Sequence, residues 1–164
     1  MAIPLGLSGG MVVLWNLMDI NIDAYISCAY IILTRYVKGF QTQIHIINTY
    51  PPYEGCKSYW DHIDKCGMLN LKSIIVDGDM NFTLGPNEVC IDRAMTDPLD
   101  LYLRELLNSF NFLDISPSLI SPTWHYGHSR TEGIQKCLDS FLVNEIMVRS
   151  MNGISILDHP YFYL

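Results

Sequence analysis

Apolar and polar positions alternate along this chain with two different periods, and the period changes at glycines and prolines. The opening GLSGGMVVLW reads as a glycine turn feeding a short buried strand, and CAYIILTRYV, residues 28 to 37, is rich in the aromatic and β-branched types that suit a pleated surface. Residues 43 to 50, QIHIINTY, alternate as a half-buried strand with Ile44 and Ile46 on one side, and Pro51-Pro52 ends it. From Tyr53 to Cys66 the period lengthens. Tyr59, Ile63 and Cys66 recur at helical spacing with most charges off that face, and Gly67 supplies the stop. SIIVDGDMN is an apolar run of strand length that ends in acids.

Asp97-Pro98 predicts a second helix, with Asp97 as N-cap and Leu99, Leu103, Leu106, Leu107 and Phe110 as its apolar face. SPTWHY, KCLDSFLV and the terminal HPYFYL read as strands, with GHSRTEG as a polar loop between the first two. Strands before, between and after a few helices predict a mixed α/β sandwich rather than a regular βαβ repeat. At 164 residues, with 49% hydrophobic and 16% charged, the chain is expected to form one domain with a real core.

The formal charge of −7 gives no general attraction for polyanions, so any nucleic-acid binding needs a local basic patch or bound cations. The five cysteines are odd in number and form no CxxC pair, which predicts reduced thiols and an intracellular setting, nucleus or cytoplasm. The apolar start lacks a basic leader and a cleavage site, and no apolar run approaches the ~18 residues of a membrane span.

Candidate chemistry gathers at strand ends. Asp79 and Asn81 follow the SIIV run two residues apart and are expected to share a face if the extended geometry continues, with Asp77 on the other. A carboxylate beside an amide suits a hard cation and a phosphate, although Asp77, Gly78, Asp79 and Asn81 are also ordinary turn residues. Asp158-His159 follows ISIL at another strand end, Asp139 lies in the apolar CLDSFLV, and Tyr50 is the last residue before the prolines. An acid inside a buried strand is costly unless paired, and an aspartate-held histidine suits proton transfer or stabilisation of phosphoryl charge. Cys56, His62 and Cys66 raise a zinc reading, but their spacing is not that of a finger or ribbon. No GxSxG elbow occurs.

In order, GLSGGMVVLW, INTYPPYEGCKSYWDHI, IIVDGDMNFTLGP, LDISPSLISPTWHY, CLDSFLV and LDHPYFYL resemble the endonuclease/exonuclease/phosphatase superfamily, in particular its plant LINE-type retrotransposon endonuclease-like branch. The resemblance implies a four-layer α/β sandwich of two mixed sheets flanked by helices, and hydrolysis of phosphate esters, here DNA, with Mg²⁺ or Mn²⁺. It implies that Asp79 orients or deprotonates water, Asn81 and Tyr50 contact the phosphate, and Asp158 joins Asp79 around the metal. His159, steadied by Asp139, would stabilise charge on the phosphorane, and Trp124 would sit near the substrate groove. No membrane association is expected from the apolar runs, and no obligate protein partner is evident.

The departures bear on activity. The family's first-strand asparagine and its metal-ligating glutamate have no counterpart before Gly9-Gly10, the usual serine before the DH pair is Leu157, and the usual cation before the LD stretch is Cys137. The expectation is therefore a domain incomplete at its N-terminus, lacking the first strands, and weakly active or inactive. The alternative is a non-catalytic remnant or binding module on the same scaffold.

Overall fold

The computed structural model describes residues 11–13, 22–36, 43–90, 97–115, 122–129 and 132–150. The larger of its two sheets holds six strands: β1 (Asp23–Ile26), β2 (Tyr30–Tyr36), β3 (Gln43–Thr49), β4 (Ile74–Asp79), β6 (Phe112–Asp114) and β9 (Asp139–Asn144). Their order is β1-β2-β3-β4-β9-β6, and β3 and β4 pair in parallel while every other neighbouring pair is antiparallel. The smaller sheet joins β5 (Val89–Cys90), β8 (Glu132–Lys136) and β7 (Trp124–Ser129) in the order β5-β8-β7. A mixed sheet, a second small sheet and helices make this a mixed α/β architecture, as the alternation predicts.

The parallel β3–β4 pair requires a crossover, and α1 (Cys56–Lys65) supplies it. Its buried side chains are Cys56, Trp60 and Ile63, not the predicted 59/63/66 stripe, and Cys66 is exposed. Ile63 is common to both sets and Tyr59 packs beside them, so the helical period holds while the stripe centres on Trp60 rather than reaching Cys66, because the indole outweighs the thiol as a buried group. Gly67, at φ 70, leads out of the helix in the left-handed region, as the predicted stop demands.

The second helix, α2 (Asp100–Ser109), starts three residues after Asp97. The Asp97 carboxylate accepts from Leu99 N–H at 2.9 Å, so it caps the turn that precedes the helix rather than the helix itself. Leu103 and Leu107 are fully buried, and Leu99, Leu106 and Phe110 pack beside them as the pattern requires.

Alternation along the large sheet divides its side chains. One face carries Tyr30, Ile47, Ile74, Val76 and Leu142, and α1 and α2 cover it through Trp60, Ile63, Leu103 and Leu107. The other carries Ile31 and Leu33, packed with Met11, and Ile44, Ile75 and Val143, packed with Met147 of a third helix, α3 (Glu145–Ser150).

Several expectations change. GHSRTEG is not a loop alone: β7 runs to Ser129 and β8 begins at Glu132, so most of it extends a hairpin, with a register irregularity between Tyr126 and Ser129. Residues 11–13 show no strand, and the rest of the predicted opening strand lies outside the described residues, as does HPYFYL. β1, β5, β6 and α3 are additions. Among the described residues no helix is long and apolar enough to cross a membrane.

Candidate active site

The rim where β4 ends is shaped first by a glycine. Gly78 sits at φ 117, and a Cβ there would lie 2.3 Å from the Thr49 carbonyl oxygen, so only glycine lets β3 and β4 pair at this register. Thr49 is itself held, its hydroxyl hydrogen-bonded to Tyr59 of α1. The V-D-G-D spelling thus has a backbone reason, and it sets two acids on either side of the close approach.

Beyond Gly78 the chain turns sharply. Asp79 accepts from Asn81 N–H at 2.8 Å, and Asn81 adopts φ 55, a left-handed conformation that asparagine tolerates better than most residues. Asn81 Nδ2 in turn donates to the Pro51 carbonyl at 2.5 Å. That bond fastens the end of β4 to the segment just after Tyr50, and Tyr50 N–H donates to Ala29 O at 3.0 Å. The expected extended path from Asp79 to Asn81 is therefore replaced by a side-chain-closed turn. The dull reading of GDMN as a turn and the chemical one are both served by the same two side chains.

Asp77 is a correction. It lies two residues before Asp79 in a continuous strand, so both point to the same face, and the expectation that they part was an error of parity. Asn48, its β3 partner, donates to Asp77 Oδ2 at 3.2 Å, while Asp77 Oδ1 is buried and has no hydrogen-bond partner among the described residues. Burial raises the Asp77 carboxyl above its ordinary range, the Asn48 hydrogen bond opposes this, and Asp139 adds to it. Asp79 is also raised, first by burial and then by Asp139, against the lowering effect of the Asn81 amide.

Asp139 is the Cα partner of Asp79 across the β4–β9 ladder. It is exposed at the first position of β9 rather than embedded in a buried strand, so its charge carries none of the expected burial penalty. Thr123 anchors the neighbouring hairpin here: its hydroxyl accepts from Leu138 N–H at 3.0 Å and Asp139 N–H at 3.3 Å. Trp124, the next residue, is 40% exposed and stacks on Tyr126 with ring centroids 6.1 Å apart.

Asp79, Asn81, Asp139 and the Tyr50-Pro51 segment are thus tied together through bonded or paired neighbours, and Thr123 ties the start of the Trp124 strand to the same place. Asp158 and His159 lie outside the described residues. Asn48 and Thr123 carried no signal in the sequence, Gly78 read only as a turn residue, and counting parity back from Asp79 puts Asp77 on its face.

Two other features stand apart. His62 Nε2 and Cys66 Sγ are 3.5 Å apart on α1, but Cys56 is buried in the core, and the zinc set does not converge. Among the described residues no group of three or more His, Cys, Asp or Glu side chains is arranged to hold a metal ion. A cavity of about 420 Å³ beside α2, lined by Glu88, Arg104, Asn108, Phe112 and Asp114, contains none of the predicted site residues.

A metal has a partial fit at the rim. The unpartnered Asp77 oxygen and the Asp79 carboxylate offer hard oxygen donors of the kind Mg²⁺ and Mn²⁺ prefer, but the described residues alone do not complete a coordination set.

The fold that emerges is a mixed α/β sandwich. It is similar to the solved endonuclease domain of TRAS1, a telomere-specific non-LTR retrotransposon, with a TM-score of 0.63 at 15% identity over 80% of this chain. The chain spans 58% of that domain's length. No protein-family model matches the sequence, and no curated protein does.

Proposed function

We propose that the chain is a single endonuclease/exonuclease/phosphatase-like domain of retroelement origin, close to the plant LINE-type branch, whose ancestral reaction is metal-dependent hydrolysis of DNA phosphodiesters. The observation that carries this is the closed turn at the end of β4, in which Asp79 holds Asn81 N–H and Asn81 holds Pro51 O, beside Asp139. Three oxygen and amide groups from two segments, the end of β4 with its turn and the start of β9, lie at one sheet rim, an arrangement suited to phosphate chemistry on a rigid scaffold.

Asp79 would orient and deprotonate the attacking water, and its raised proton affinity makes it a stronger base than an ordinary aspartate. Asn81 has its Nδ2 committed to Pro51, so contact with a non-bridging phosphate oxygen would use its remaining amide hydrogen. Tyr50 would approach the phosphate from the neighbouring strand, and Trp124 would flank the substrate. Asp79 and Asp158 would hold Mg²⁺ or Mn²⁺, and His159, steadied by Asp139, would face the developing phosphorane. The metal, when bound, supplies Lewis-acid stabilisation of phosphoryl charge.

Leu157 and Cys137 stand where the resemblance expects a serine and a cation near the phosphate, so the chain is expected to lose transition-state stabilisation, with each ~1.4 kcal/mol lost costing about tenfold in rate. The test is cleavage of supercoiled DNA by the purified chain with Mg²⁺ or Mn²⁺. Trace activity that Asp79→Ala removes is the expected result. Activity that survives Asp79→Ala would remove Asp79 from the site, and robust activity would overturn the claim of impairment.

A second reading, a non-catalytic binding remnant, is favoured by the same turn, because one Asp79 oxygen is already engaged by Asn81 N–H. Calorimetric titration with Mn²⁺ separates the two: heat that disappears in Asp79→Ala supports a retained cation site, and its absence supports the remnant.

A further inference from the structure

We propose that the cavity between α2 and the loop that follows the β4 turn is a binding site for a small organic cation, an ammonium group carried on an apolar body. It shares no residue with the predicted rim site and does not depend on the phosphodiesterase reading.

The cavity measures about 420 Å³, the size of a small-molecule site, and several elements meet around it. Leu107 and Arg104 come from α2, Phe112 and Asp114 from β6, Leu142 from β9 and Glu88 from the loop. Phe112 and Asp114 are two apart in β6 and so share a face, and register sets Asp114 opposite Leu142. Leu107, Phe112 and Leu142 are buried, so the Asp114 carboxylate stands at the margin of an apolar floor. Glu88 brings a second carboxylate. It is half-buried and held in place by Leu84 N–H, which donates to Glu88 Oε2 at 2.5 Å.

Charge decides what such a space takes. Among the described residues that line it, Arg104 is the cation, and its guanidinium is already engaged: Nε donates to Asp100 Oδ1 at 2.6 Å and Nη2 to the Leu84 carbonyl. Those bonds tie the loop to α2 and match the Arg104 charge with that of Asp100, so the Glu88 and Asp114 carboxylates make the site net negative. Burial pushes the Glu88 carboxyl above its ordinary range, the Leu84 amide opposes this, and the nearby Asp114 charge adds to it. A cation in the cavity would offset that repulsion, and an anion would increase it. Two acids do not make a metal set, since among the described residues no group of three or more His, Cys, Asp or Glu side chains is arranged to hold an ion. An apolar floor with an acidic margin matches an amine on a hydrocarbon body instead.

The experiment is an NMR titration of the full ¹⁵N-labelled chain with 2-phenylethylammonium chloride, run beside 2-phenylethanol and sodium phenylacetate at matched ionic strength. The amine is expected to give saturable amide shifts centred on residues 84–88 and 112–114, with an affinity about tenfold or more above those of the alcohol and the carboxylate. Asp114→Asn, at an exposed position that leaves the fold intact, should weaken the amine about threefold. Joint Glu88→Gln and Asp114→Asn substitution, in which the glutamine oxygen can still accept from Leu84 N–H, should weaken it about tenfold. The alcohol should bind the wild type and both variants alike. Absence of saturable shifts with the amine, equal affinity for all three probes, shifts centred elsewhere, or an amine affinity unchanged by Asp114→Asn would each overturn the proposal.

Discussion

The two faces of the large sheet are made by the same strands and do different work. The helix-covered face is apolar along β4, with Ile74 and Val76 at 0% and 1% exposure under Trp60 and Leu103. The opposite face begins apolar at Ile75 and then turns polar at Asp77 and Asp79, with Asn48 beside them. Burial stabilises a chain only where it is dry. The first face is built for that, whereas the second buries an Asp77 oxygen that has no hydrogen-bond partner among the described residues. The dry core and the polar rim are thus separated by a single step of strand alternation.

Substitutions can test that division. The largest effect is expected from Trp60→Ala on the dry face: loss of a fully buried indole should cost about 3–5 kcal/mol, seen as a large drop in Tm or failure to fold. Gly78→Ala should follow, at about 2–3 kcal/mol, because the new methyl meets Thr49 backbone and the backbone conformation is unfavourable for alanine. A chemical-denaturation midpoint unchanged by Gly78→Ala would mean that the two strands do not approach as closely as described.

On the polar face the sign should reverse. Asp77→Asn is expected to stabilise the protein at neutral pH by on the order of 1 kcal/mol, or about 2–4 °C in Tm. The Asp77 carboxyl is raised in the folded chain, so the fold disfavours its ionised form. Below the ordinary carboxylate range both states are protonated and the substitution should be neutral. As pH rises through the raised value, the wild type loses stability that asparagine keeps. Melting curves across pH would show the two proteins diverging upward from acid, and convergence at neutral pH would refute the burial of that charge. The smallest effect belongs to neither face. Arg149→Ala removes an exposed α3 ion pair with Glu145 and should change stability by less than about 0.5 kcal/mol.

Much of this division was legible in the residues. Strands β2, β3, β4 and β9 are short runs of strong β-formers bounded by glycine, proline or acids, and their existence follows from period alone. β1 and β6 were not, because DAYI and FLD are too short to show a period, and their strand character comes from the neighbours they pair with. The hairpin was hidden for a related reason. GHSRTEG is polar in composition, and its extended form comes from β7 pairing with β8, Ser129 opposite Glu132, which its residue types do not signal.

At the site, Asp79 and Asn81 could be singled out from their position at a strand end. Their actual relation could not, since the left-handed Asn81 is a property of the closed turn. Asp77 was available from simple counting and was assigned to the wrong side. Gly78 reads in sequence as a turn residue, and only the 2.3 Å approach of Thr49 reveals that it is required inside the strand.

The position of β4 in the sheet also governs the order in which the molecule can be built. Its neighbour on one side, β3, precedes it, whereas its neighbour on the other, β9, follows about 60 residues later. During synthesis at about 5–20 residues per second, that gap is about 3–12 s in which the nascent chain holds β4 with one ladder unmade. Asp79 would spend that interval without its opposite strand, and the rim would be the last part of the sheet to close. A ribosome stalled before Asp139 should therefore display an open edge at Asp77 and Asp79, accessible to chaperones, in a chain whose first helix is already packed.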